Sequence, residues 1–474
     1  MWRNRQQMKS KIKNIVALLS ILAMVTTGIA QTKTAAFKVP AYEKFKLSNG
    51  LTVYLMEQHE VPTISVSAIV PAGAIYDGSK SGLAALTASG LQYGTKSYSK
   101  EKIEQELDFI GASLNTYATK EAGRLSSKFA SKDQDKVFPI LKELLADPVF
   151  NAAEFEKEQK RVLSELERAK ESPRSVIGAY WDKFMYGNHV YGNPVDGSPA
   201  TVSKLTADDL KSFYKTNYSP EGSAIAVVGN FDTKAMKTRI TKLFGSWNKA
   251  AGQQKNLAAD AVVPIKSNRV LLVNKGDARE TTFLIGGPGI RRDNPDYVAL
   301  EVINTVFGGR FTSWLNDELR VNSGLTYGAR SSFSPLKNAG TFSISTFTAS
   351  KTTEPAIDMA LKVLTRLHDK GIDEETLKSA KNYVKGQFPP DYETSGQLAG
   401  LLTEMFWYGF DESFINNFES NVDGLTTAKV KEIVKKYFPK DNLQFVLVGK
   451  ADEIKKIAEK YGPVTVKEIK ADGF

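Results

Sequence analysis

Three histidines, His59, His189 and His368, and no cysteine are all that this 474-residue chain offers as nitrogen and sulfur metal ligands. A locally built zinc site needs two such ligands close in sequence, often histidines four apart on one helical face, with a Glu nearby as general base. No two of the three histidines have that spacing. They read instead as structural or solvated residues: His59 in a turn before Pro62, His189 in the loop YGNHVYGNP and His368 on an amphipathic helix. The G-x-S-x-G elbow of serine hydrolases is also absent. A self-sufficient catalytic set therefore has no evident source in this chain.

The elements that would position a site come as a duplicated unit. LTADDLKSFYKTNYSPEGSAIAVVGNFD starts at Leu205 and LTTAKVKEIVKKYFPKDNLQFVLVGKAD at Leu425, an offset of 220 that recurs at Gly229 and Gly449. The pair Tyr218/Pro220 returns as Tyr437/Pro439. Each copy predicts a helix capped by Thr, a Pro-containing turn and an apolar strand ending in Gly, over Ala224 to Val228 and Gln444 to Val448. Each half opens with strands: Leu51 to Met56 and Thr63 to Val70, then Arg269 to Val273 and Glu280 to Gly286. Helices over Gly82 to Gln92 and Asp296 to Phe307 follow them. The fold class expected is α+β, in two halves of similar build.

Length points to more than one domain, and 42% hydrophobic with 24% charged residues is ordinary for a globular chain. Residues 1–30 carry Arg3, Arg5, Lys9, Lys11 and Lys13 without an acid, then an apolar run and Gly28-Ile29-Ala30. That pattern predicts a signal peptide cleaved after Ala30, with an uncleaved anchor as the alternative. Its loss takes the net charge from +10 to +5, so the basic balance implies no nucleic-acid partner, and no later segment predicts a membrane span. A periplasmic location is expected. The boundaries are a signal peptide over 1–30, an N-terminal domain over 38–247, a linker over 248–266 and a C-terminal domain over 267–474.

Residues Gly82 to Thr95, GLAALTASGLQYGT, resemble the zinc helix of the pitrilysin/insulinase metallopeptidases, the inverzincins, whose motif H-x-x-E-H lies in a G-L-A-H-x-L-E-H-x-x-x-x-G-T frame. The two zinc histidines and the base fall on Ala85, Ser89 and Ala88. The family's third ligand, a Glu about 75 residues on, falls on Glu165 in RVLSELERAKESP, with Ser164 replacing its acidic neighbour. One carboxylate does not make a zinc site, so Glu165 reads as an ordinary charged helix residue. This chain is expected to hold no cofactor of its own.

The resemblance covers nearly all of the chain beyond the expected signal peptide. It implies two homologous domains, each a mainly antiparallel sheet backed by helices as in the processing peptidases, enclosing a chamber. FGGRFTSWLNDELRVNSGLTY, Phe307 to Tyr327, resembles the family's C-terminal signature and places Arg320 and Tyr327 on its Arg–Tyr pair. In active members the Tyr donates to the developing oxyanion and the Arg holds a substrate carbonyl, both suited to transition-state charge. Asn115, in GASLNTY, matches an Asn on the edge strand that takes up extended peptide.

Some bacterial members of this family are heterodimers in which one subunit carries H-x-x-E-H and the other the Arg and Tyr. The resemblance thus implies the non-zinc subunit of a periplasmic peptidase acting on extended peptides, inactive alone, with zinc on a homologous partner. The alternative is a non-catalytic peptide-binding or assembly protein of the same fold. A hydrolase using Ser89 as nucleophile lacks an assignable base.

Overall fold

Two runs of small and β-branched residues, Ala224–Gly229 and Gln444–Gly449, form interior strands of two separate sheets, and every residue of both is buried. Such strands are covered on both faces, and what covers them determines the architecture. The structure is a computed structural model describing residues 37–250, 257–259, 262–471 and 473. The expected signal peptide over 1–30 and part of the expected linker over 248–266 lie outside the described residues.

The first sheet contains β1 (Glu43–Lys46), β2 (Thr52–Glu57), β3 (Thr63–Val70), β4 (Ser113–Ala118), β5 (Gly123–Ala130) and β6 (Ala224–Gly229), in the order β1-β2-β6-β3-β5-β4. The second contains β7 (Arg269–Asn274), β8 (Glu280–Pro288), β9 (Ala329–Pro335), β10 (Gly340–Ala349), β11 (Gln444–Gly449) and β12 (Val464–Glu468), in the order β12-β7-β11-β8-β10-β9. Five strands correspond one to one. β2 and β7 run parallel to β6 and β11, and the other pairs among these five are antiparallel. The sixth position differs: β1 joins β2 antiparallel, whereas β12 joins β7 parallel. The α+β architecture of two like halves is thus observed, with both sheets mixed.

The helices Ala207–Asn217 and Thr427–Tyr437 precede β6 and β11 at the same 220-residue offset seen in the sequence, each capped by a Thr hydroxyl. Gly229 closes β6 at φ 144°, where a Cβ would meet the Thr63 carbonyl oxygen at 2.2 Å. Only glycine permits so close a strand crossing at that backbone angle.

Each sheet has one face packed on helices of its own half. On the first sheet that face carries Val53, Leu55, Val66, Ala68, Leu125, Ile225 and Val227, against Leu83, Val137, Leu141, Leu210 and Met236. The opposite face receives a helix from the other half. Helix Ser395–Tyr408 lies across β3 and β6, where the Ser395 and Ser65 hydroxyls meet at 2.9 Å and Thr403 and Ser67 at 3.1 Å. In return, helix Pro173–Tyr186 buries Val176, Ile177, Tyr180 and Trp181 on Leu271, Val273, Leu284, Val446 and Val448 of the second sheet. Each such side chain contributes about 1.5–3 kcal/mol on burial.

A polar tie accompanies the exchange. Buried Glu121 accepts from the Tyr191 hydroxyl and, at 3.0 Å, from the backbone N–H of Lys337 in the turn between β9 and β10. The neighbouring N–H of Asn338 donates to the Tyr191 oxygen at 3.2 Å. Residues Val39–Phe474 accordingly make one compact unit.

Trp181→Ala leaves a large gap between this helix and the second sheet. It is expected to lower stability by about 3–5 kcal/mol in urea unfolding, with both halves unfolding together. A loss under about 1 kcal/mol, or separate transitions for the two halves, would show that the exchanged helix does not couple them.

Candidate functional site

The segment resembling a zinc helix does form a helix, Leu83–Gly90, and its start is fixed by a buried acid. Gly82 enters at φ 95°, and Asp77, 4% exposed, accepts from the N–H of Gly82 at 2.9 Å and of Ala84 at 2.8 Å. A carboxyl group accepting from otherwise unpaired N–H groups at a helix start satisfies them. Burial pushes the Asp77 pKa up to about 8, against the downward pull of the backbone N–H groups of Ala84, Gly82 and Leu83.

Ala85 and Ser89 are half-buried on the helix face that lines a cavity of about 250 Å³, while Ala88 is fully buried in the core. Helix Ala152–Ala169, begun by the Asn151 side chain, forms the opposite wall through Glu158, Arg161, Val162, Glu165 and Leu166, and Asp196 closes one end. Ala85, Ser89 and Glu165 thus line one cavity, with Ala88 buried behind them.

Arg161 pairs with both glutamates of this wall. Its guanidinium donates to Glu165 at 2.5 Å and to both oxygens of Glu158 at 2.5 and 2.7 Å. Glu165, whose side chain is 51% exposed, pairs with Arg161 one turn earlier on its own helix. The two carboxylates hold the guanidinium pKa above its usual value, Glu158 more than Glu165. Burial raises the pKa of Asp196, and Glu165 adds to it. These residues do not fit zinc: two ligand positions are Ala and Ser, and the third is bonded to an arginine. Among the described residues no group of three or more His, Cys, Asp or Glu could hold a metal ion. Glu158 and Arg161 were not singled out from sequence, although the spacing Glu158, Arg161, Glu165 carries the signal for one helical face.

Arg320 and Tyr327 do not line this cavity. Arg320 lies in the wide helical turn Asp317–Asn322, and Tyr327 just before β9. The Gly308–Gly309 turn ahead of them is required by packing, since a Cβ on Gly308 would meet the Ser331 hydroxyl at 2.3 Å. The Arg320 guanidinium lies 4.5 Å over the ring of Phe311 and makes no hydrogen bond or ion pair among the described residues. Tyr327 is 81% exposed, and its hydroxyl likewise has no partner among them. Its ring stacks on Phe347 with centroids 6.4 Å apart, and the Arg174 guanidinium lies 3.5 Å over that same Phe347 ring. Arg174 belongs to the exchanged helix Pro173–Tyr186, so the first half helps set the position of Tyr327. Asn115 is exposed on β4, an edge strand of the first sheet, opposite Ser126 of β5.

Two family profiles match the chain: "Insulinase (Peptidase family M16)" over residues 52–197 and "Peptidase M16 inactive domain" over residues 204–384. Among curated relatives, the uncharacterized zinc protease YmxG of Bacillus subtilis is 23% identical over 357 residues, 74% of this chain and 85% of that protein. The non-peptidase homolog YmxG of Helicobacter pylori is 23% identical over 382 residues, 80% of this chain and 86% of that protein. A crystal structure of a peptidase M16 inactive domain from Pseudomonas fluorescens superposes with a TM-score of 0.81 at 24% identity, covering 86% of this chain and 98% of that one.

Two outcomes follow from the site. Folded Asp77 holds its proton more tightly than an unfolded aspartate with an ordinary pKa of 3.8, so its contribution to stability falls as pH rises from about 4 to about 8. Asp77→Asn should flatten that part of the pH dependence of urea unfolding; an unchanged slope would contradict it. Restoring Ala85→His, Ala88→Glu and Ser89→His should bind zinc at least about tenfold more tightly when Arg161→Leu is added, because the guanidinium no longer holds Glu165. Equal zinc affinity with and without Arg161 would show that the guanidinium does not compete.

Proposed function

Since the chain belongs to the insulinase family, peptidase family M16, we propose that it is the non-zinc subunit of a heterodimeric periplasmic peptidase. In this reading a homologous subunit with H-x-x-E-H supplies the metal and the general base. This chain supplies Arg320 and Tyr327 and does not hydrolyse peptides alone. The observation that carries the reading is the contrast between its two sites. Where the family's zinc ligands would sit the chain has Ala85, Ser89 and a Glu165 paired with Arg161, whereas Arg320 and Tyr327 keep their polar groups free among the described residues.

Their chemistry suits the assigned roles. A phenolic O–H placed where charge develops on a carbonyl oxygen stabilises the transition state more than the substrate. A guanidinium fixes a main-chain carbonyl through its fork of donors and needs no change of protonation. Tyr327 is presented by stacking on Phe347, and Arg320 by its contact with Phe311. Neither depends on a polar partner that a substrate would have to displace. Asn115 on the β4 edge would help hold an extended peptide by main-chain pairing.

A second reading is favoured by the cavity itself, which offers Ser89 no histidine or lysine base among its lining residues. Under it the chain is a non-catalytic peptide-binding or assembly protein, and a relative described as a non-peptidase homolog is in keeping with that.

Co-expression with a homologue bearing H-x-x-E-H separates the two. The proposed role requires a stable complex with peptidase activity, in which Tyr327→Phe or Arg320→Ala lowers kcat/KM by about 10²-fold or more. Neither side chain is buried in the core, so folding should be unaffected. Full activity in both variants would overturn the catalytic role and leave the binding reading.

A further inference from the structure

The faces that receive the exchanged helices extend beyond them onto β4 and β5 in the first sheet and β9 and β10 in the second. Cross-strand partners share a face, so the pairing fixes what these extensions carry. On the first sheet Lys128 lies between Ser65 and Ser113, and Arg124 between Ile69 and Tyr117. On the second, Arg330 of β9 lies opposite Ser345, which pairs with Leu284 beneath the exchanged helix. The four strands contain these three cations and no Asp or Glu.

None of Arg124, Lys128 and Arg330 forms an ion pair among the described residues. Lys128 and Arg330 are exposed and Arg124 half-buried. Glu121 and Glu404 come near Arg124 around Tyr408, but Glu121 is already engaged by the Tyr191 hydroxyl and the Lys337 N–H. The exposed cations Lys128 and Arg330, on strands free of acid, raise the local concentration of anionic ligands. β4 and β9 are also sheet edges, and an edge offers a row of main-chain donors and acceptors to an extended polypeptide.

We propose that these two helix-receiving faces bind acidic extended polypeptide, with Lys128, Arg124 and Arg330 selecting carboxylate side chains while the β4 and β9 edges hold the main chain. The proposal rests on the peptide-handling reading above and adds the chemical class of the peptide. Strand edges favour polypeptide over nucleic acid, because a sugar–phosphate backbone cannot continue a β-ladder. On β9 the cation sits on the edge strand itself, so a neighbouring strand would bring a carboxylate within about 5 Å of it.

The test uses the full chain and three labelled probes followed by fluorescence anisotropy: a short peptide alternating Glu and Thr, its Lys and Thr counterpart, and single-stranded oligo-dT. The Glu peptide should bind at least about tenfold more tightly than the Lys peptide, and the difference should shrink as salt is raised. The exposed substitutions Lys128→Glu and Arg330→Glu should each weaken Glu-peptide binding by about fivefold or more, without changing the unfolding midpoint. Equal binding of the two peptides would overturn the acidic class while leaving peptide binding intact. Oligo-dT bound as tightly as the Glu peptide would overturn it in favour of a general polyanion face, and no binding of either peptide would overturn it altogether. The kinetic effect of Tyr327→Phe in the two-subunit complex is read separately, so failure of the charge preference and failure of the subunit role are distinguishable.

Discussion

Each half of the molecule leaves one face of its sheet without a cover from its own sequence, and each supplies the helix that covers the other. Helix Pro173–Tyr186 buries its aromatic and aliphatic residues on β7, β8 and β11, and helix Ser395–Tyr408 lies on β3 and β6. An uncovered apolar sheet face is unfavourable in water, so neither half is complete alone. The relative placement of everything presented by the two halves follows from this exchange. Tyr327 illustrates it directly, since the ring on which it stacks also carries the guanidinium of Arg174 from the exchanged helix.

Within that frame the two candidate sites have diverged. The Leu83–Gly90 helix keeps its buried acidic cap, its glycine entry and its packing, so the scaffold of a metal site persists without the ligands. On the opposite wall of the same cavity the Arg161 guanidinium lies between Glu158 and Glu165 and balances part of their negative charge. Arg320 and Tyr327 show the reverse pattern, with packing contacts that aim them and no polar contact that engages them. A residue kept only for structure would ordinarily spend its polar group on the fold.

Much of this was legible in the chain. The 220-residue offset appears in the structure residue for residue, in β6 and β11 and in the helices before them, because strong local signals, a Thr cap and a β-branched run ending in Gly, fix both copies. Ala85, Ser89 and Glu165 line one cavity. The exchange of helices was not legible, since the apolar residues Val176, Ile177, Tyr180 and Trp181 announce burial without saying against which sheet. The sequence does not set Arg161 apart, because its spacing to Glu158 and Glu165 also describes any solvated ion pair on a helix. Only the cavity wall opposite Ala85 and Ser89 gives it a different meaning. The acid-free character of β4, β5, β9 and β10 is visible in the sequence, but it acquires significance only when the pairing puts the three cations on the faces that receive the exchanged helices.

The proposed reading is that this polypeptide does not hold a metal itself, while Arg320 and Tyr327 serve a substrate. Its most direct test is elemental analysis of the purified chain after equilibration with micromolar zinc and gel filtration. The account predicts zinc far below one equivalent per chain and unchanged by Glu165→Ala; about one tightly held equivalent, lost in that variant, would contradict it.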